Sequence, residues 1–291
     1  MTILLDGRGL AEEITARLKA EVAAQPSAPN LKVILVGNDP ASLMYDNAKV
    51  KKAKELGIES ELVRLPATAS EEELLSLIDR FNKDQNVNGI LVQLPLPSHI
   101  DESLACGAVA PWKDVDGFHP LNKGLLSMGD EAMLAPCTPL GIITLLEHYG
   151  IELDGARACI VGSSNIVGKP MQMLLANRGA TTTLCNVHTR GLSEMTHMAD
   201  ILISAVGKES LITADMVKDD AVVVDVAMVH SARDGSLCGD VDFEEVAKKA
   251  SAITPSPGGV GPMTIITLMM NTLKAYKIRR GIGGNENPVQ V

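Results

Sequence analysis

Residues 157–170 read Arg157-Ala158-Cys159-Ile160-Val161-Gly162-Ser163-Ser164-Asn165-Ile166-Val167-Gly168-Lys169-Pro170. A short apolar run ends in Gly162, and Gly168 follows beside a proline that suits a helix start. Gly162 can turn sharply at the strand end, Gly168 permits close packing or approach, and free N–H groups at the helix start can hold a phosphate. The stretch is not a literal Gly-x-Gly-x-x-Gly, and the same residues also serve a plain strand-to-helix turn. Further β-rich runs follow at residues 181–185, 201–206, 222–226 and 252–254, separated by helix-length or loop-length sequence. Strands repeated around one glycine-marked turn describe a Rossmann-like dinucleotide-binding domain, placed over residues 120–262.

Upstream the same alternation recurs. Residues 9–24 have helical spacing, 31–36 form a buried-strand run, and Asp39-Pro40 opens a helix that ends near Gly57. Residues 61–65 are strand-like, Ser70 with Glu73 fits a capping box for the next helix, and 89–94 is an apolar strand closed by Pro95 and Pro97. This βα repetition predicts a mostly parallel sheet in an N-terminal α/β catalytic domain over residues 1–119. A helix from Met263 to about Ile278 is expected to return to that domain, so that 263–291 completes it. The fold class is therefore α/β with two domains and a ligand cleft between them.

Composition narrows the function. The 291 residues hold 36 Asp and Glu against 26 Lys and Arg, a net charge of −10 that argues against a broad nucleic-acid or anionic-membrane surface. Aromatics make up 2%, so aliphatic residues and 13 Met must fill the core, which suits helix-covered parallel sheets. Five widely spaced cysteines, Cys106, Cys137, Cys159, Cys185 and Cys238, contain no Cys-x-x-Cys pair and fit reduced thiols in the cytosol. No signal-peptide pattern and no run of membrane-spanning length is seen, and a cytoplasmic protein is expected.

Candidate site residues fall in both halves. Residues 254–264 hold three prolines and three glycines before an apolar run, a shaped backbone that serves as a ligand-facing wall or as a stiff structural turn. Ser42, Tyr45 and Lys49 share one face of the second helix. A phenol beside an amine on a cleft wall can orient a substrate and move protons, although Lys49 also fits the solvated run with Lys51, Lys52 and Lys54. Gln93, between Val92 and Leu94, ends a strand at the sheet edge where α/β proteins bind ligands, and can donate to and accept from a heterocycle. Asp116, in Lys113-Asp114-Val115-Asp116-Gly117, can hold an amino-pyrimidine edge or serve ordinary turn chemistry. In the second half no acid follows the strand at 181–185. His188 and Arg190 can instead meet a 2′-phosphate, which favours NADP without excluding NAD.

Together these residues resemble the bifunctional methylenetetrahydrofolate dehydrogenase/methenyltetrahydrofolate cyclohydrolase family. The resemblance is carried by Ser42/Tyr45/Lys49, Val92-Gln93-Leu94-Pro95-Leu96-Pro97, residues 113–117, Pro136-Cys137-Thr138-Pro139-Leu140-Gly141, the Gly162 turn and residues 257–264, in family order along most of the chain. It implies a cytosolic enzyme that oxidises 5,10-methylenetetrahydrofolate with NADP⁺ and hydrolyses the resulting methenyl cation to 10-formyltetrahydrofolate. Carried over by position, Lys49 is the acid/base of the hydrolytic step, supported by Gln93. Tyr45 stacks on or orients the folate, with Ser42 on the same helix, and Asp116 binds the pterin end. Val92 and Leu94 flank Gln93 in the substrate site, and Pro257, Gly258, Gly259, Val260 and Gly261 form the opposing wall. Gly162, Ser163, Ser164, Gly168, His188, Arg190 and Met228 face the cofactor. One lysine can serve the hydrolytic step without a metal, and the family is commonly a homodimer through the dinucleotide domain.

Departures cluster in the cofactor half. Many family members carry Arg where Ser163 stands, a His-Ser-Arg-like stretch at Asn186-Val187-His188, and Gly-Ile at Ala227-Met228. A folate-binding protein without redox activity is a competing reading, but Gly162, Gly168 and the folate residues are intact. A dehydrogenase of an amino or hydroxy acid explains the second domain but not Gln93 with the 257–262 loop.

Overall fold

The computed structural model describes residues 2–130, 134–231 and 235–282, with backbone alone at 40–42. The chain forms two compact units: Met1–Glu12 with Thr138–Thr264, and Glu13–Cys137 with Ile265–Val291. It opens with β1 (Ile3–Leu4) and α1 (Gly7–Ala23), then runs β2 (Asn30–Val36), α2 (Pro40–Glu55), β3 (Glu59–Leu65), α3 (Glu71–Lys83) and β4 (Gly89–Val92). These strands form a parallel sheet in the order β3-β2-β4. Because β2 is central, the chain leaves it on one side and returns on the other, and the crevice at the β2/β4 strand ends is a topological switch point.

Helix α3 starts where Ser70 and Glu73 exchange capping-box hydrogen bonds, and Leu74, Leu77, Ile78 and Phe81 recur on one buried face. That stripe packs on Ile34, Val36, Ile90 and Val92. After α4 (Glu102–Ala108) the chain lies along β4, with the Ile90 N–H donating to Lys113 O at 2.7 Å. The buried Lys113 amine donates to the carbonyls of Phe81, Asn82 and Asp84, closing the C-terminal end of α3. Helix α5 (Pro120–Ser127) follows.

The other unit holds α6 (Cys137–His148) from residue 138 on, then β5 (Arg157–Val161), α7 (Gly168–Ala176), β6 (Thr181–Cys185), α8 (Leu192–His197), β7 (Ile201–Ser204) and β8 (Val222–Asp225). A hairpin of β9 (Val229–His230) and β10 (Leu237–Cys238), then α9 (Phe243–Val246), β11 (Ala252–Ile253) and the start of α10 (Val260–Arg279) complete it. The strands form a parallel sheet in the order β1-β11-β8-β7-β5-β6. The switch point lies between β5 and β7, where Gly162 stands.

Several expected bounds shift. The strands at 89–94, 201–206 and 222–226 end earlier, at Val92, Ser204 and Asp225; one further N–H on each, from Gln93, Ala205 and Val226, still reaches the neighbouring strand, and Val206 N–H then donates to Asp240. Strand β1 has only two residues and no readable pattern, yet Ile3 pairs with Ala252 and Leu4 with Ile253. The compact units therefore group Met1–Glu12 with the dinucleotide unit, and they group residues 120–137 with the other one. The expected division at 119 and 262 places both segments differently. Helix α10 begins at Val260, with Pro262 in its first turn. Residues 283–291, part of the segment expected to complete the first domain, lie outside the described residues.

Candidate active site

Helix α2 leaves the C-terminal end of β2 and carries Tyr45 and Lys49 one turn apart. The Lys49 ammonium sits 4.8 Å from the centre of the Tyr45 ring. Lys49 is 5% exposed and is not part of a solvated lysine face. Its Nζ donates to Gln93 Oε1 at 2.5 Å and to Asp46 Oδ1 at 3.1 Å. Gln93 stands just beyond β4, held by its N–H to Ile34 O at 2.9 Å and by Nε2 to Leu94 O. The amide orientation follows from this pattern, since the oxygen must face the amine and the NH₂ the carbonyl. The Val92 side chain belongs to the core, and Leu94 packs at its margin.

Asp46 is fully buried, and among the described residues its Oδ2 has no hydrogen-bond partner. Burial pushes its carboxyl up, opposed by the charges of Lys49 and Arg64. The alternation of α2 leaves this acid readable as a surface residue, and only its burial shows it as the partner of Lys49.

The two acids at 114 and 116 separate by role. Asp114 is buried and accepts from Phe118 N–H, His119 N–H and Asn122 Nδ2, so it shapes the loop. Asp116 is left beside Lys49, and burial pushes its carboxyl up to about 6, the Lys49 charge opposing and Asp114 and Asp46 adding. A group whose pKa is raised from 3.8 on folding contributes stability that is full below that value and lost as pH climbs through about 6. Asp116→Asn removes this penalty, so it is expected to melt above the native chain at about pH 7.5, with the gap closing toward about pH 4. Equal melting temperatures of the two proteins across that range would show that Asp116 is not perturbed.

The remaining candidates belong to the other unit. Gly162 has φ +111°, and an added Cβ would lie 2.4 Å from Ala205 O. At Gly168 an added Cβ would lie 1.8 Å from Gly162 O, so a glycine here lets α7 start against the strand end. The exposed Ser164 accepts from Val167 N–H at 3.1 Å, and Ser163 is half-buried beside it. After β6, Asn186 Oδ1 accepts from the His188 N–H, which commits the side chain standing where an acid was looked for. His188 and Arg190 are exposed on that loop, and Met228 is 49% exposed beyond β8. Ser256 donates to Ala227 O, Gly259 N–H to Pro255 O, and Arg8 N–H to Gly258 O, so the segment of Pro257, Gly258 and Gly259 is a braced turn. Val260 and Gly261 open α10.

Tyr45, Lys49, Gln93 and Asp116 are thus gathered in one unit, whereas the 257–261 wall and the cofactor candidates share the other. The Ser42 side chain lies outside the described residues. Cys137, noted only as part of a motif, proves to be a buried thiol that donates to Val115 O at 3.2 Å, and burial, with the charge of Asp116 adding, pushes it well up.

The geometry agrees with what the chain is similar to. The tetrahydrofolate dehydrogenase/cyclohydrolase catalytic-domain model matches residues 5–116, and the NAD(P)-binding-domain model of the same family matches 136–280. The bifunctional protein FolD of Wolinella succinogenes is 53% identical over 281 residues, covering 95% of this chain and 98% of that one. The bifunctional methylenetetrahydrofolate dehydrogenase/cyclohydrolase FolD of Campylobacter jejuni superposes with a TM-score of 0.93 at 48% identity, covering 95% of this chain and 99% of its own. The Trypanosoma brucei N5,N10-methylenetetrahydrofolate dehydrogenase-cyclohydrolase, solved with NADP cofactor and an inhibitor, gives 0.91 at 35%, covering 95% and 97%. With both of its domain models matched in order, this chain belongs to the tetrahydrofolate dehydrogenase/cyclohydrolase family.

Proposed function

We propose that this chain oxidises 5,10-methylenetetrahydrofolate to the methenyl cation with NADP⁺ and then hydrolyses that cation to 10-formyltetrahydrofolate. The observation that carries the reading is the buried Lys49 amine, hydrogen-bonded to Gln93 and Asp46 beside Asp116. Hydride loss from an N–CH₂–N carbon is assisted by the flanking nitrogen lone pairs, so the protein's task is alignment. Tyr45 orients the folate and Asp116 accepts from its pterin end. When bound, NADP⁺ supplies the hydride acceptor. The Gly162 turn fits such a group because the backbone there has no room for a Cβ, and it lies at the switch point of the sheet.

Hydrolysis makes a different demand. Water adds its oxygen to the methenyl carbon and loses a proton to give a neutral carbinolamine. The hydroxyl then gives up its proton as the carbon's bond to N5 breaks and N5 takes up a proton, leaving the formyl group on N10 and one proton released overall. Lys49 moves the proton, and Gln93 holds the amine in place. The assay supplies methylenetetrahydrofolate with either nicotinamide cofactor and follows methenyltetrahydrofolate and reduced cofactor by absorbance. No turnover with either cofactor would overturn the reading.

The NADP⁺ preference rests on the exposed His188 and Arg190 side chains and on the lack of a carboxylate at the end of β6. Arg190→Ala is expected to weaken NADP⁺ binding about tenfold and NAD⁺ much less. An equal effect on both, or a higher native kcat/KM with NAD⁺, would refute that role. The proposal includes a homodimer and a cytosolic setting.

A further inference from the structure

Asn271 lies on α10, 2% exposed, and its function is not evident from the site described above. Its Nδ2 donates to Val115 O at 2.8 Å and to Ala135 O at 2.9 Å, and it stands 3.6 Å from Cys137 Sγ. One amide therefore ties together two segments distant in sequence, residues 115–117 and 135–137. The same segments touch without it. Cys137 Sγ donates to Val115 O at 3.2 Å, and Gly117, at φ +71°, has no room for a Cβ because Ala135 C and Pro136 N would lie 2.5 Å away. Asp116 is the residue between these contacts, flanked by the pinned carbonyl of Val115 and by Gly117. A buried amide that satisfies two carbonyls and faces a thiol has few other arrangements available, since each group left unpaired is costly.

We infer that Asn271 and Cys137 are positioning residues that set the Asp116 carboxylate for substrate binding, Asn271 by clamping the carbonyls of Val115 and Ala135 and Cys137 by donating its thiol proton to the Val115 carbonyl next to Asp116. The inference rests on the folate reading of Asp116. A clamp acting through Asp116 raises the KM for the folate and leaves the nicotinamide cofactor unaffected. General loosening of the fold lowers kcat and changes both KM values together.

The test uses the full-length enzyme with Asn271→Leu, Cys137→Ala and Cys137→Ser, in steady-state kinetics with methylenetetrahydrofolate and NADP⁺ each varied. Cys137→Ala keeps the chain's shape with least disturbance and covers the case in which Asn271→Leu fails to fold. The expected result is a folate KM raised about tenfold in Asn271→Leu and severalfold in Cys137→Ala, with kcat and the cofactor KM within about twofold. Cys137→Ser, which restores a donor and an acceptor, is expected to recover most of the native KM. Native folate KM in Cys137→Ala, or no recovery in Cys137→Ser, overturns the inference. Failure of the folate reading itself would show differently, as absence of turnover in the unsubstituted enzyme.

Discussion

Lys49→Met is expected to lower methenyltetrahydrofolate hydrolysis by about a thousandfold while folate still binds, because it removes the proton-transferring amine and keeps the aliphatic stem. The change also strips Asp46 of its ion-pair partner. Asp46 is fully buried and its carboxyl is already pushed up by burial, so it takes a proton in the variant and part of the cost appears as lost stability. Activity and stability can be separated with the double substitution Lys49→Met/Asp46→Asn, in which the isosteric neutral amide is expected to recover melting temperature but no hydrolysis. Gln93→Ala should be milder, since it frees the amine from its 2.5 Å contact without removing it. Hydrolysis at the native rate by Lys49→Met would exclude the lysine from the mechanism.

The second large effect concerns the dinucleotide unit. Asp240 is fully buried and accepts four hydrogen bonds, from Ser204 Oγ and Val206 N–H on Oδ2 and from Gly207 and Lys208 N–H on Oδ1. It anchors the turn after β7, beside the Gly162 crevice. Asp240→Ala leaves these donors without an acceptor and is expected to cost roughly 3–5 kcal/mol, given about 1.5–3 kcal/mol per bond to a charged group and partial rescue by entering water. That corresponds to a fall of roughly 6–20 °C in Tm. Asp240→Asn should lose about half as much. Its carbonyl can serve one pair of donors, and its NH₂ can donate to the Ser204 hydroxyl, leaving the Val206 N–H unpaired. Urea unfolding of the three proteins decides it, and Asn as damaging as Ala, or Ala within about 1 kcal/mol of native, would contradict the account.

What the sequence alone determined is what short-range backbone geometry controls. The βα alternation, the Ser70/Glu73 capping box, the turn at Gly162 and the shared face of Tyr45 and Lys49 all follow from periods of two and 3.6 residues or from a φ that only glycine takes readily. The motifs in their order also led to the family. What only the tertiary structure decided is burial and distant pairing. A lysine in a run of lysines looks solvated until the chain folds Gln93 against it. Asp114 and Asp116 look alike until loop N–H groups fill the one and burial, opposed by the Lys49 charge, pushes the carboxyl of the other up. Strand β1 is too short to show a pattern and exists because Ile253 offers it an edge. Asn271 meets Val115 across 156 residues. No local pattern encodes such contacts, because the free energy that makes them comes from where the rest of the chain returns.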